Sequence, residues 1–160
     1  MPADARTPAT AMASQYIYDL GAQGPPALSD IIAQEKGSSI AVDAILRSET
    51  LVRAVSGDSP DFGDGLTLLL PTNRAFRGLG PLPDDLELVM KRHFIAQVVA
   101  PAQMERGVVV PSYDPQTELR FSSSHGSTYV QAGQRRPVEV RCAGTRASNG
   151  VYCLADDLFL

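Results

Sequence analysis

The chain has 160 residues, 44% of them hydrophobic and 20% charged, and a formal charge of −4 at pH 7 with a pI near 5.1. That length and composition suit one domain with a proper hydrophobic core and exclude a disordered or membrane-embedded class. The acidic balance and the scattered arginines offer no attractive field to phosphates, which argues against nucleic acid as a partner.

The first 25 residues are rich in Ala, Pro, Thr and Gly, with larger apolar residues only around Tyr16, Ile17, Tyr18 and Leu20. They read as a mobile extension to a domain over residues 26–160. The opening residues Met1-Pro2-Ala3-Asp4-Ala5-Arg6 lack the apolar centre of a signal peptide. Secretion or display at a cell surface therefore requires a leader outside this sequence, and otherwise the compartment stays open.

Pro25 or Pro26 opens a short amphipathic helix through Leu28, Ile31, Ile32 and Ala33, which Gly37 stops. Ile40, Val42, Ile45 and Leu46 mark a second helix. Ser48-Glu49-Thr50-Leu51 offers a fresh cap to a third with Leu51, Val52 and Val55. The loop from Ser56 to Gly65 is turn-forming by composition. Thr67-Leu68-Leu69-Leu70, stopped by Pro71, fits a strand buried on both faces. Thr72 or Asn73 can then cap a short turn holding Ala75 and Phe76. Pro83-Asp84-Asp85 begins another helix, with Leu86, Leu88, Val89 and Met90 as its apolar side and Lys91 and Arg92 at its negative end.

Beyond His93 the pattern turns to β-branched and aromatic segments broken by Gly, Pro, Ser and Asp. Strands are predicted over residues 94–99, 107–110, 119–122, 128–131, 138–142 and 151–154. Arg135-Arg136, between Gln134 and Pro137, fits a solvated hairpin loop. Helices in the first half and mostly antiparallel strands in the second indicate an α+β class and argue against alternating βαβ units. No apolar run approaches the roughly 20 residues that span a bilayer.

Cys142 and Cys153 flank a turn at Ser148-Asn149-Gly150 and are expected on neighbouring strands of one hairpin. A turn centred on Ser148 and Asn149 sets the cysteines diagonal to each other, not opposite. A disulfide and a pair of buried free thiols both stay open, with the thiols slightly ahead. Two cysteines and two distant histidines present no metal-ligand spacing, so no metal or cofactor is expected.

Three segments resemble the signature motifs of fasciclin-like domains. Thr67-Leu68-Leu69-Leu70-Pro71-Thr72-Asn73-Arg74-Ala75-Phe76 is similar to the family's first motif. The segment from Ser148-Asn149-Gly150 through Asp156 to Leu160 is similar to its closing strand. Leu88-Val89-Met90-Lys91-Arg92-His93-Phe94 is similar to the helix-to-strand passage in which a tyrosine-histidine pair follows an apolar helix. His93 matches that histidine, Arg92 stands in place of the tyrosine, and Cys153 replaces the usual histidine of the closing strand. The resemblance implies a β-sandwich or wedge with helices packed along one side. It also implies a binding or adhesion module of a secreted or surface protein, with a protein or glycan ligand. Some fungal relatives accompany oxidative enzymes of secondary metabolism. The alternative is thus a small-molecule-binding accessory protein or enzyme, taking for instance a small aromatic metabolite.

For most of the family-motif residues a structural role accounts for the chemistry. Thr72 and Asn73 suit a cap after a buried strand. Ser148, Asn149 and Gly150 suit a tight hairpin whose Asn and Gly tolerate positive φ. If the protein is an enzyme, His93 and His125 are its acid-base candidates. His93 at a helix-strand junction is expected to be hydrogen-bonded, and His125 in Ser122-Ser123-Ser124-His125-Gly126-Ser127 reads as a loop residue. Asp156 and Asp157 fall on opposite faces of a strand, poor geometry for holding a cation together. No phosphate loop, metal cluster or nucleophile motif is present, so no catalytic residue is assigned. No Asn-x-Ser/Thr sequon supports secretion.

Overall fold

The computed structural model describes residues 25–160, apart from the side chains of residues 143–145. The predicted N-terminal extension, but for Pro25, lies outside the described residues.

Three helices come first: α1 (Leu28–Ile32), α2 (Ser39–Leu46) and α3 (Glu49–Ser56). Each is amphipathic and buries one face, through Leu28 and Ile32, through Ala41, Ala44 and Ile45, and through Leu51, Ala54 and Val55. Ser48 caps α3 by accepting the Leu51 N–H at 3.2 Å. The helix ends at Gly57 in the left-handed conformation, φ 86°, which glycine adopts without strain. Strand β1 (Leu66–Pro71), α4 (Leu86–Lys91), β2 (Phe94–Ile95) and α5 (Pro101–Arg106) follow. Then come β3 (Val109–Pro111), β4 (Glu118–Ser124), β5 (Ser127–Ala132), β6 (Val138–Ala147) and β7 (Gly150–Ala155).

The strands form one continuous sheet in the order β2-β1-β7-β6-β5-β4-β3. Every neighbouring pair is antiparallel except β1 and β7, which run parallel from Leu66↔Gly150 to Pro71↔Ala155. Parallel pairing inside a sheet covered on both faces explains why β1 is a continuous apolar run, all six residues buried. On one face Leu66, Leu68 and Leu70 join Tyr152 and the helices in a first core. On the other, Leu69 joins Cys153, Phe121, Val130, Val140 and Phe159 in a second. The fold is α+β, a β wedge with helices alongside.

Several sequence expectations need correction. The strand predicted over residues 94–99 keeps only Phe94 and Ile95. After it the chain leaves the sheet, pinned by Thr67, whose hydroxyl donates to Gln97 O at 2.7 Å and accepts the Val99 N–H at 2.9 Å. The unpredicted helix α5 follows, with Pro101 in its first turn and the Gln103 side chain accepting the Ala100 N–H at 2.8 Å.

The cysteines are directly opposed and bonded, with an S–S distance of 2.00 Å, and are neither diagonal nor free. Near the turn the register is the one expected, Ala147↔Gly150 and Arg146↔Val151. A bulge then intervenes: β6 goes from Cys142 to Arg146 while β7 goes only from Cys153 to Val151. The extra residues on β6 bring Cys142 into line with Cys153.

Candidate functional site

The two end motifs meet at the centre of the sheet, where β1 and β7 are hydrogen-bonded neighbours. Gly150 is required there by close approach. A Cβ on it would lie 2.0 Å from Leu66 O, so the parallel ladder closes only over a residue with no side chain. The expected reason, positive φ at both Asn149 and Gly150 in a tight turn, does not hold for Asn149. Among the described residues His125 is the sole non-glycine with positive φ.

Asn149 ties three segments together. Its Oδ1 accepts the Leu28 N–H at 2.9 Å, satisfying a free donor at the start of α1, and its Nδ2 donates to Val55 O at 2.9 Å at the end of α3. Ser148, exposed, takes part through its backbone, its N–H donating to Pro26 O.

Asn73 acts in the same way on α2. Its Oδ1 accepts the Ile40 N–H at 2.9 Å and its Nδ2 donates to Ser39 Oγ at 3.0 Å. The cap expected on its own turn is absent. Thr72 occupies the N-cap position there without a side-chain cap bond, and its hydroxyl donates instead to Asp156 Oδ1 at 2.7 Å.

Asp156 also receives Arg141, and the Arg141 guanidinium, followed by the Thr72 hydroxyl, holds its carboxyl below the usual range. Asp157 turns to Arg136 at 3.0 Å. Both acids lie just past the end of β7, not on its two faces, and they share no partner. Among the described residues no group of three or more His, Cys, Asp or Glu is placed to hold a metal ion.

His93 is fully buried between α4 and β2. Its Nδ1 lies 2.9 Å from Val89 O, and its Nε2 accepts the Phe159 N–H at 3.2 Å. The two bonds together assign the neutral tautomer with the proton on Nδ1. Burial, opposed by the Val89 carbonyl and aided by the Arg92 charge, lowers its pKa to about 4.

Arg92, in the place of the family's tyrosine, pairs with the buried Asp114 at 3.1 Å. Burial alone would raise that carboxyl, but hydrogen bonds from Arg92, the Gln116 N–H and Thr117 together bring it below its ordinary value. The reading of the motifs did not single out Thr67, Asp114 or this ion pair. The partners of Thr67 lie 30 and 32 residues away in the chain, and Arg92 lies 22 residues from Asp114.

His125 stands at the exposed tip of the β4–β5 hairpin with φ 53°. Neither histidine lines either of two open clefts on the surface. One, of about 430 Å³, lies between α1 and β7 and is lined by Asp30, Ile31, Glu35 and Tyr152 among others. The other, of about 360 Å³, lies around Arg135, Arg136, Asp157 and Phe159. Among the described residues no helix is long and apolar enough to cross a membrane.

The fold and its motif residues define a fasciclin-type domain, and the comparisons agree. The Fasciclin domain family model matches residues 38–160, more than half of the chain, so the chain belongs to that family. Among solved structures it is similar to a FAS1 domain pair from the insect cell adhesion molecule fasciclin I, with a TM-score of 0.61 and 18% identity. That match covers 78% of this chain and 45% of the other, so this chain spans less than half of the domain pair. No curated protein matches the chain.

Proposed function

We propose that residues 26–160 form a non-catalytic binding module of a secreted or surface-exposed protein, with a protein or glycan as ligand. The observation that carries the reading is where the motif's polar side chains go. Thr72, Asn73, His93, Asn149 and Asp156 are all hydrogen-bonded inside the protein, each joining elements distant in sequence. Groups so engaged hold a scaffold and leave recognition to its surface. The Cys142–Cys153 bridge supports an oxidising compartment, since such bonds persist outside the reducing cytosol. The similar fasciclin I is itself a cell adhesion molecule.

The test is a panel of glycans, matrix-protein fragments and aromatic metabolites, read by thermal shift and by mass spectrometry of the recovered ligand. A protein or glycan that raises the melting temperature in proportion to occupancy and is recovered unchanged is the expected result. Conversion of a panel compound that is lost on replacing His93 or His125, or the absence of any protein or glycan ligand, overturns the reading.

A further inference from the structure

The chain has two asparagines, Asn73 and Asn149, and only Asn149 is followed by glycine. Asparagine is chemically labile, and most so before glycine, where no Cβ shields the next backbone nitrogen and the chain reaches the angles that ring closure needs. In that reaction the Gly150 nitrogen attacks Asn149 Cγ and a C–N bond closes a succinimide ring. The side-chain nitrogen leaves as ammonia, taking the displaced amide proton with it. Water then opens the ring at one of its two carbonyls. The product is aspartate, or isoaspartate with the main chain rerouted through the side chain and one atom longer.

Both reacting groups are held in the folded protein. The Asn149 carboxamide is fixed at its two ends, Oδ1 accepting the Leu28 N–H at 2.9 Å and Nδ2 donating to Val55 O at 2.9 Å. Gly57, at the end of α3, closes in on the same side chain, since a Cβ placed on it would lie 3.6 Å from Nδ2. Turning Cγ onto the Gly150 nitrogen breaks both bonds. The nitrogen itself belongs to a buried residue registered against Leu66 on one side and Ala147 on the other. Asn149 is only partly buried, so its protection comes from these constraints and not from exclusion of water.

We propose that Asn149–Gly150 is a deamidation site that the fold keeps closed and unfolding opens, so that the pair times how long the chain stays unfolded. The lesion then opposes return to the native state. Aspartate keeps an acceptor for the Leu28 N–H but sets a second oxygen against the Val55 carbonyl, where a donor stood. Isoaspartate adds a main-chain atom next to Gly150 and displaces it from its place beside Leu66, where a Cβ has no room. The inference is independent of the ligand.

The test incubates the full chain in mildly alkaline buffer, folded and in guanidinium chloride, beside the blocked peptide acetyl-Arg-Ala-Ser-Asn-Gly-Val-Tyr-amide under both conditions. Peptide mapping by mass spectrometry follows the replacement of NH2 by OH at residue 149, and chromatography separates aspartate from isoaspartate. The unfolded chain is expected to react at the peptide's rate. The folded chain should react at least about a hundredfold more slowly, because only its open fraction is competent. Asn73, which Arg74 follows, should stay intact over the same period. After removal of denaturant the modified chain should show a lower unfolding midpoint than the untreated one, and Asn149→Asp, which copies one product, should shift the same way. Asn149→Ala has no carboxamide to lose, so its refolding yield should not fall with time spent unfolded, whereas that of the wild type should. Where that variant fails to fold, the peptide map carries the test. A folded chain that deamidates within a few-fold of the peptide overturns the proposal. So does an unfolded chain that keeps asparagine at 149 while the peptide reacts, or a deamidated chain that refolds with the midpoint of the untreated protein.

Discussion

At the residue scale His93 has the most consequences, because one ring bridges the end of α4 and the backbone of Phe159, 66 residues later. With the Nδ1 proton directed at Val89 O, Nε2 must keep its lone pair for the Phe159 N–H, and protonation destroys that acceptor. The folded protein therefore holds the ring neutral down to about pH 4, against about 6.5 for a free histidine. Between those values the unfolded chain binds more protons than the folded one, so stability rises with pH across the window and is constant above about 6.5 as far as this group is concerned. We predict that urea unfolding at a series of pH values shows a loss of about 3 kcal/mol attributable to this residue from pH 7 to pH 4. His93→Gln, uncharged throughout, should flatten that part of the profile, and an unchanged slope would remove His93 from the account. His93→Ala is expected to cost about 1–3 kcal/mol at pH 7 by leaving the buried Phe159 N–H unmatched and taking one of two donors from the Val89 carbonyl, which keeps the Arg92 N–H. Ligand affinity of the folded fraction should stay as it was, and loss of binding at unchanged stability would contradict the structural role.

At the element scale the decisive piece is the β1–β7 pair, which brings the two end motifs into one parallel ladder. We predict that Gly150→Ala lowers stability by about 3 kcal/mol or more, because the new methyl meets the Leu66 backbone and one strand must withdraw. A Gly150→Ala protein with wild-type unfolding free energy would show that the ladder is not closed there. Asn149→Ala removes both bonds to the helices and is expected to cost about 2 kcal/mol, measured by chemical denaturation, with hydrogen exchange rising first at α1 and the end of α3. The apolar run of β1 and the Ser48 cap were legible because each is a local pattern of burial or capping. Pairing partners were not, since nothing near Leu66 states that Gly150 will lie beside it. Helix α5 escaped for another reason: six residues opened by proline give too short a window for a 3.6-residue period to stand out from the strands on either side. The cleft between α1 and β7 was hidden in the same way as the ladder, its acids near residue 30 and its tyrosine in the closing strand meeting only through the packing of α1 on β7.

At the scale of the whole molecule the disulfide decides how the two cores depend on each other. Cys153 is buried in the second core, whereas Cys142 is exposed where the bulge begins, and the first core, with its helices, contains neither. The bond closes a short loop, with the cysteines 11 apart in sequence, so its contribution is expected near the lower end for native bridges, about 2–3 kcal/mol. The ladders β1–β7, β3–β4, β4–β5 and β5–β6, and the helix-covered core, are untouched by its loss. Reduction should therefore lower stability without unfolding the protein. Cys142→Ser isolates this effect better than a change at Cys153, because it alters an exposed atom and leaves a buried thiol, a role cysteine fills readily. We expect the Cys142→Ser protein and the reduced wild type to share one urea midpoint, below that of the oxidised protein, with far-ultraviolet circular dichroism unchanged in all three. Identical stability of oxidised and reduced protein would show that the bulge alone fixes the β6–β7 register. Loss of all secondary structure on reduction would show that the two cores fold only as one bonded unit.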